Sequence, residues 1–328
     1  MALAVSRTIP VQVDAIGTVE AFQTISVRSQ VTAEIRKVHF KEGQDVKKGD
    51  LLIELDSRAS EAALRQAEAN LVKDRAQAKY AREQARRYAD LIKKDYIAKE
   101  QFEQVQANAA SLDATVKADE AAVENNRVQV QYCSIYAPIN GRIGKLEVDQ
   151  GNIVKANDMQ LFTINQIQPI NVSFAIPEKD LPRVKKFFAE KKLEVDALIA
   201  DGERPEKGEL SFVDNAIDKT TGTIILKGTF PNKENRLWPG QFVSVLLTLT
   251  IEPDAILVPS QSVEQGPSGQ YVYVVKQDST VEMRPVTLGP VFQDETVIQK
   301  GLRAGERVVT DGQLRLVPGA KVAVKKAK

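Results

Sequence analysis

The 328-residue chain contains one cysteine, Cys133, and one histidine, His39. A single cysteine excludes an internal disulfide framework and any multi-thiolate metal site. A single histidine, distant from that cysteine in sequence, leaves no material for a His-based triad, a Cys/His dyad or a zinc centre. His39 lies between Val38 and Phe40, a strand-like setting in which a lone histidine is read as a satisfied structural residue. Neither sign of charge dominates: 45 Lys and Arg stand against 44 Asp and Glu, which argues against nucleic-acid binding through bulk positive charge. Aromatic residues make up only 6%, so the cores must be largely aliphatic. No apolar run approaches the roughly 20 residues of a membrane-spanning helix. The first five residues form no complete signal peptide and offer no lipid-accepting cysteine, so an exported or anchored form would need a targeting segment not present here. The basic end, 325–328, is expected to be a solvated tail. No catalytic residues, no cofactor and no metal are expected. The length suggests two to four compact units.

What is present is strongly patterned. Residues 57–133 hold neither Gly nor Pro in 77 positions and are rich in Ala, Gln, Glu, Lys and Arg, the strong helix formers. The pattern breaks near Lys94, Asp95, Tyr96 and Ile97, predicting two helices. Core-like positions step alternately by four and three: Leu64, Ala67, Leu71, Asp74, Ala78, Ala81, Ala85, Tyr88 and Ile92, then Phe102, Val105, Ala109, Leu112, Val116, Asp119, Val123, Asn126 and Val130. This is coiled-coil spacing. Folded at the break, the two series mirror one another. Paired position numbers sum to 193 or 194 throughout, as in Tyr88 with Val105, Ala81 with Leu112 and Leu71 with Val123. Independent helices have no reason to keep that register; an antiparallel hairpin must. At 1.5 Å per residue each arm of about 35 residues reaches roughly 50 Å. Asp74 and Asp119 fall in one layer. A buried carboxylate pair is one reading; nearby Lys73, Arg75 and Lys117 favour the other, a hydrated and screened layer.

The flanks of the hairpin repeat each other. IRKVHFKEGQDVKKGDLLIEL, from Ile35, and IGKLEVDQGNIVKANDMQLFT, from Ile143, superimpose at an offset of 108. Ile35 maps to Ile143, Val38 to Leu146, Phe40 to Val148, Gly43 to Gly151, Val46 to Val154, Asp50 to Asp158 and Ile53 to Leu161. Alternating aliphatics suit short strands, and the matched glycines suit tight turns with positive φ. Such a repeat is one structural unit used twice. One half cannot close a core alone, so the halves are expected to pack together with the hairpin projecting between them.

The phrase VHFKEGQDVKKGDLLIELD, a long hairpin, and then APINGRIGKLEVDQGNIV together resemble the split biotinyl/lipoyl-like domain of membrane fusion proteins. The nearest likeness is to the periplasmic adaptors of resistance–nodulation–division (RND) multidrug efflux pumps. The remainder of the chain is consistent. Strands are expected near 169–176, 193–199, 209–213, 222–230 and 241–251, with a short helix at 178–191 whose apolar side is Leu181, Val184, Phe187 and Phe188. Asp214 to Thr223 and Trp238-Pro239-Gly240-Gln241-Phe242-Val243 resemble family phrases of a β-barrel domain. Asp214, Asp218 and adjacent threonines are read as turn residues; a metal or phosphate site is the alternative. Further strands are expected near 271–275, 281–288, 296–298, 307–310 and 321–324. The family implies that this end joins an N-terminal strand near 9–13.

The resemblance therefore implies a mixed, mainly β, elongated multidomain adaptor with a long antiparallel α-helical coiled-coil hairpin. Its implied parts are a membrane-proximal β domain (1–13 and 254–328), a small β-barrel (14–27 and 166–253), a split lipoyl-like domain (28–56 and 136–165) and the hairpin (57–135). It implies a non-enzymatic protein of the periplasm, associated with the inner membrane. Its implied partners are an inner-membrane proton-driven RND transporter, a TolC-like outer-membrane channel and further copies of itself, in a hexamer. Family members dock on the channel through an Arg, a Leu four residues later and a Ser seven further on at the hairpin tip. Arg87 and Leu91 match; Ala98 stands at the Ser position and cannot supply a hydroxyl. Without the resemblance, Arg87 is an ordinary solvated residue and Leu91 merely closes the turn. Three other functions remain alternatives. An ABC-exporter adaptor shares much of the architecture. A lipoyl or biotin carrier needs one modified lysine on the turn between the halves, where this chain has the hairpin; Lys41, Lys47 and Lys48 lie within the first half. A plain coiled-coil spacer has no account of the repeat. A metal-pump adaptor is disfavoured by only three methionines, Met1, Met159 and Met283.

Overall fold

The computed structural model describes residues 1–199, 204–266, 269–313 and 316–322. The expected solvated tail and the end of the strand expected near 321–324 lie outside them. The chain forms two compact units, one of residues 21–169 and one of residues 1–20 with 170–328.

In the 21–169 unit, helix α1 spans Arg58–Ile92 and helix α2 spans Lys99–Gln131. Their seam is the one that the mirror register demands: Leu71, Ala78, Val116 and Val123 are buried, with Leu64, Ala67 and Leu112 packed against them. Small Ala78, Ala81 and Ala109 are also buried, which lets the axes approach closely. Two ion pairs between the helices flank the seam, Arg75–Glu120 at 2.7 Å and Arg82–Asp113 at 2.6 Å, one heptad apart. The Asp74–Asp119 layer departs from the expected hydrated reading. Lys73 does reach Asp74, at 3.2 Å, but Asp119 Oδ2 is enclosed with no hydrogen-bond partner among the described residues. The adjoining Leu71–Val123 and Ala78–Val116 layers bury both sides of the pair, so water does not reach that oxygen.

At the base of the hairpin the repeat at offset 108 closes on itself by exchange. The strand Asp45–Val46 of the first half pairs with Gly141–Ile143 of the second, Asp45 opposite Arg142. The strand Ile153–Val154 of the second pairs with Ala33–Val38 of the first, Ile153 opposite Glu34. These two pairings interchange under the offset. So do the bonds from Ile35 N to Asn152 O and from Ile143 N to Gln44 O, both 2.9 Å. Gly43 and Gly151 take φ of 75° and 90°, as tight turns require. Ile35, Val46, Ile53, Ile143, Val154 and Leu161 share one core with Leu52, Leu55, Phe162 and Ile164. His39 Nε2 lies 3.0 Å from Glu54 Oε1, which satisfies the lone histidine. Cys133 is a buried free thiol below the hairpin. The strand Ser134–Tyr136 follows at once, pairing with Leu51–Leu55, so sheet pairing resumes at the foot of α2.

In the other unit, the antiparallel strands Phe242–Pro259, Glu194–Leu198, Glu206–Asp218, Thr223–Phe230 and Gln160–Pro177 follow one another in that order. The strand Val5–Arg28 pairs with both the first and the last, closing a six-stranded barrel among the described residues. Alternation along each strand fills it with Val172, Phe174, Val195, Leu226, Val245 and Leu247, all buried. Helix α3, Leu181–Glu190, buries Val184. Phe188, expected on its apolar side, is exposed. One turn beyond Val184, the helix has only Phe187 turned far enough inward to be half-buried. The expected strand near 9–13 is part of a much longer one, whose residues 5–18 pair with 242–257 through two register shifts. The chain ends do meet: Ala2 and Leu3 pair with Val308 and Arg307. A second core there joins Ala4, Val258, Val272, Val274, Ile298, Leu302 and Val308.

Candidate functional site

The hairpin ends where its periodicity ends. Lys94 N and Tyr96 N both donate to Leu91 O, at 3.1 and 3.2 Å, tightening the last turn of α1. Asp95 then takes φ of 56°, a left-handed residue that reverses the chain. Ala98 is extended (φ −70°, ψ 145°) and starts α2 as its N-cap, with no side-chain bond to the helix. An oxygen-bearing side chain at that position would cap the helix; alanine leaves those amides to solvent or to a partner.

Arg87 and Leu91 are four residues apart on α1 and so share one face. Arg87 is exposed and makes no ion pair or hydrogen bond among the described residues. Of the neighbouring cations, Lys93 pairs with Asp90 at 3.2 Å and Lys99 with Glu103 at 3.5 Å, while Arg86 and Lys94, like Arg87, make no side-chain pair among the described residues. Leu91 is 37% exposed although its carbonyl closes the helix. Ala98 is also exposed, at the opposite side of the turn. The structure thus brings the three residues to one end of the hairpin and leaves Arg87 and Leu91 available. It adds Tyr96, 72% exposed and anchored by its backbone bond, which the sequence reading passed over as part of a helix break. Nothing in the sequence marked it, because its exposure follows from the left-handed turn at Asp95.

The alternative site at Asp214 to Thr223 is accounted for by turn chemistry. Thr220 N donates to Asp218 Oδ1 and Gly222 N to Asp218 O, each at 2.8 Å, while the Thr221 and Thr223 hydroxyls share a bond of 2.8 Å. Hydrogen bonds from the Thr220 backbone and hydroxyl hold the Asp218 carboxyl below its ordinary pKa. Asp214 Oδ1 accepts from Asn215 N. The side chains are spent on the hairpin turn itself.

Three family models tile the chain. Residues 23–166 match the barrel-sandwich hybrid domain of RND membrane fusion proteins, residues 169–251 their β-barrel domain, and residues 254–315 their C-terminal permuted SH3 domain. The multidrug resistance protein MdtA of Cronobacter turicensis is 39% identical over 99% of this chain and 79% of its own length. MdtA of Escherichia coli is 37% identical over the same shares. The chain belongs to the RND membrane fusion proteins. As such it is a periplasmic, membrane-associated adaptor of RND multidrug efflux, working with an inner-membrane transporter and an outer-membrane channel. Among solved structures, a MacA–MexA chimera carrying the Pseudomonas aeruginosa MexA α-hairpin aligns with a TM-score of 0.67 and 27% identity, covering 94% of this chain and 99% of the chimera. MacA of Actinobacillus actinomycetemcomitans aligns at 0.63 and 22% identity, over 95% of this chain and 99% of its own, a likeness of fold. The mainly β architecture with a helical hairpin is therefore that of the RND membrane fusion proteins. No helix among the described residues is long and apolar enough to cross a membrane.

Proposed function

We propose that this adaptor bridges a proton-driven RND transporter and a TolC-like channel, and that it docks on the channel through Arg87, Leu91 and Ala98. The observation that carries this is the pairing of an unpartnered guanidinium with an exposed leucine on one face, at the end of a hairpin otherwise closed along its seam. Arg87 offers forked donors to channel carbonyls or carboxylates, and Leu91 offers an apolar knob. Ala98 contributes only close approach.

The four-part division given by the sequence supports this reading. The hairpin (57–135) reaches outward from the lipoyl-like domain (28–56 and 136–165). The barrel (14–27 and 166–253) and membrane-proximal domain (1–13 and 254–328) face the transporter. Register shifts at Thr248/Thr250 and Glu252/Ala255 fall beside the boundary between those last two. Six copies side by side would form the duct, and the transporter's proton gradient would supply the energy. That all three family models carry the RND description favours this over an ABC-exporter adaptor.

The test is site-directed disulfide cross-linking in a double-membrane bacterium. Cysteine replaces Arg87, Leu91 or Ala98 singly in a Cys133→Ser background, opposite cysteines at the periplasmic end of the channel. Cross-links are expected at the tip and not at exposed, mid-hairpin Gln77. No tip cross-link in an assembly that still exports drug would show that docking lies elsewhere.

A further inference from the structure

The Asp74–Asp119 layer lies between two buried apolar layers of the seam. On one side lie Leu71 and Val123, on the other Ala78 and Val116, all buried. The Asp74 side chain is only 13% exposed. Only α1 and α2 pack here, and the charged groups around the pair are few. From α1, Lys73 approaches Asp74 Oδ1 at 3.2 Å, and Arg75 turns away to Glu120 of α2 at 2.7 Å. From α2 come Glu120, held by that pair, and Lys117, which is exposed. One cation thus serves two carboxyls. Lys73 neutralises Asp74, and Asp119 Oδ2 is left enclosed with no donor among the described residues.

Two carboxylates in one enclosed layer cannot both remain ionised without cost, and the simplest relief is a proton shared between them. Burial, then Asp74 beside it, through the hydrogen bond that a protonated partner can make and through its charge, push the Asp119 carboxyl upward, against the smaller pull of Lys73. The protonated acid has a donor where the carboxylate has none, so it completes the layer that ionisation would open.

The geometry points to a proton-responsive joint in the hairpin: with one proton between Asp74 and Asp119 the helices close across this layer, and when it leaves the layer opens and admits water. The sign follows from linkage. A carboxyl whose pKa is higher in the closed layer than in the open one holds the layer most firmly below the ordinary carboxylate value. That hold is lost as pH rises through the raised value. The joint is thus tighter in acid and looser in base, opposite to a carboxylate held by a salt bridge. It requires nothing of the channel or transporter and stands independently of the docking role of the tip.

The test is amide hydrogen exchange on the full chain, with protection factors corrected for intrinsic rates, at pH 5 and pH 8. In the parent protein, amides around 71–78 and 116–123 should lose protection between the two, by roughly tenfold for each unit by which the closed layer's pKa lies above the lower pH. Asp119→Asn keeps the shape and supplies a permanent donor, so its protection at pH 8 should match its protection at pH 5. Asp74→Asn, which leaves Asp119 enclosed but removes the like charge, should show a reduced dependence. Amides of the barrel strand Phe242–Pro259 serve as an internal control in both variants, and far-UV circular dichroism verifies their helix content. Equal dependence on pH in the parent and in Asp119→Asn would overturn the proposal, as would a parent seam whose protection is the same at both values.

Discussion

The exchange-paired repeat predicts that two residues 108 positions apart carry matched shares of stability. Ile35 and Ile143 are 0% and 1% exposed, belong to one core, and donate equivalent backbone bonds to Asn152 O and Gln44 O. Truncation of either to alanine removes three buried carbons, worth about 2.4 kcal/mol at ~0.8 kcal/mol each. The cavity left behind raises the loss into the range of about 2–5 kcal/mol. Because the two sites are related by the repeat, Ile35→Ala and Ile143→Ala should agree to within about 1 kcal/mol, well inside the spread for unrelated core isoleucines. The assay must read the right unit. The sole tryptophan, Trp238, lies in the 1–20 and 170–328 unit, so its fluorescence does not report on this core. Urea dependence of hydrogen exchange at Ile53 and Leu161, buried in the shared core, does report on it. A large loss for one variant beside a loss below about 1 kcal/mol for the other would refute the equivalence. The halves would then be a template and an appendage, not two sides of one core.

The same symmetry extends to Gly43→Ala and Gly151→Ala. Each residue has φ near the left-handed region with nothing within 4 Å of an added Cβ, so each substitution should cost about 1 kcal/mol from backbone strain alone, with an unchanged urea m-value. A pH effect belongs to the foot of α1. Side-chain and backbone hydrogen bonds from Arg58 hold the Asp56 carboxyl down to about 2. A depressed carboxylate stabilises the fold above its ordinary pKa, and that stability is lost as pH falls from about 4 towards about 2. Asp56→Asn should therefore flatten this part of the acid-unfolding curve while leaving stability between pH 6 and 8 insensitive to pH, as read by the helix signal in circular dichroism.

How much of this was legible in the sequence depends on the range over which each feature is encoded. The hairpin was legible in register because Leu71, Ala78, Val116 and Val123 are placed by a period that repeats along the arm. The repeat was legible because Ile35/Ile143 and Val46/Val154 recur with their spacing intact. The barrel came only through the family resemblance, which joined 14–27 to 166–253, since pairing Thr18 with Phe242 brings together segments whose local patterns hold no sign of one another. Strand lengths were underestimated for the same reason: Phe242–Pro259 continues past its expected end through shifts of register that only a partner strand reveals. At the tip, Arg87 and Leu91 carried a family signature, whereas the exposure of Tyr96 follows from the left-handed turn at Asp95. At Asp74 and Asp119 composition misled. Three nearby cations suggested screening, but Arg75 is engaged by Glu120 and only Lys73 reaches the pair.

That layer also bears on how the hairpin can act as a spacer of fixed length. A uniformly apolar seam of Ala, Val and Leu tolerates a slip of one helical turn, because apolar layers would still meet apolar layers. Here a slip in one direction sets Asp74 against Val116 and Asp119 against Leu71. A slip in the other sets Asp74 against Val123 and Asp119 against Ala78. Either separates the two carboxyls and sets each singly in an apolar layer, where an unpaired charge is costly. Each slip also draws Arg75 away from Glu120 and Arg82 away from Asp113. The polar layer thus acts as a register pin, as a single buried polar residue does in other coiled coils. Pinning requires that the carboxyls face each other, and facing is what brings them to share a proton. Register and proton response are two consequences of one placement. On the docking role proposed for Arg87 and Leu91, a rod that holds them at a set distance from its base has reason to keep a layer that weakens its own seam.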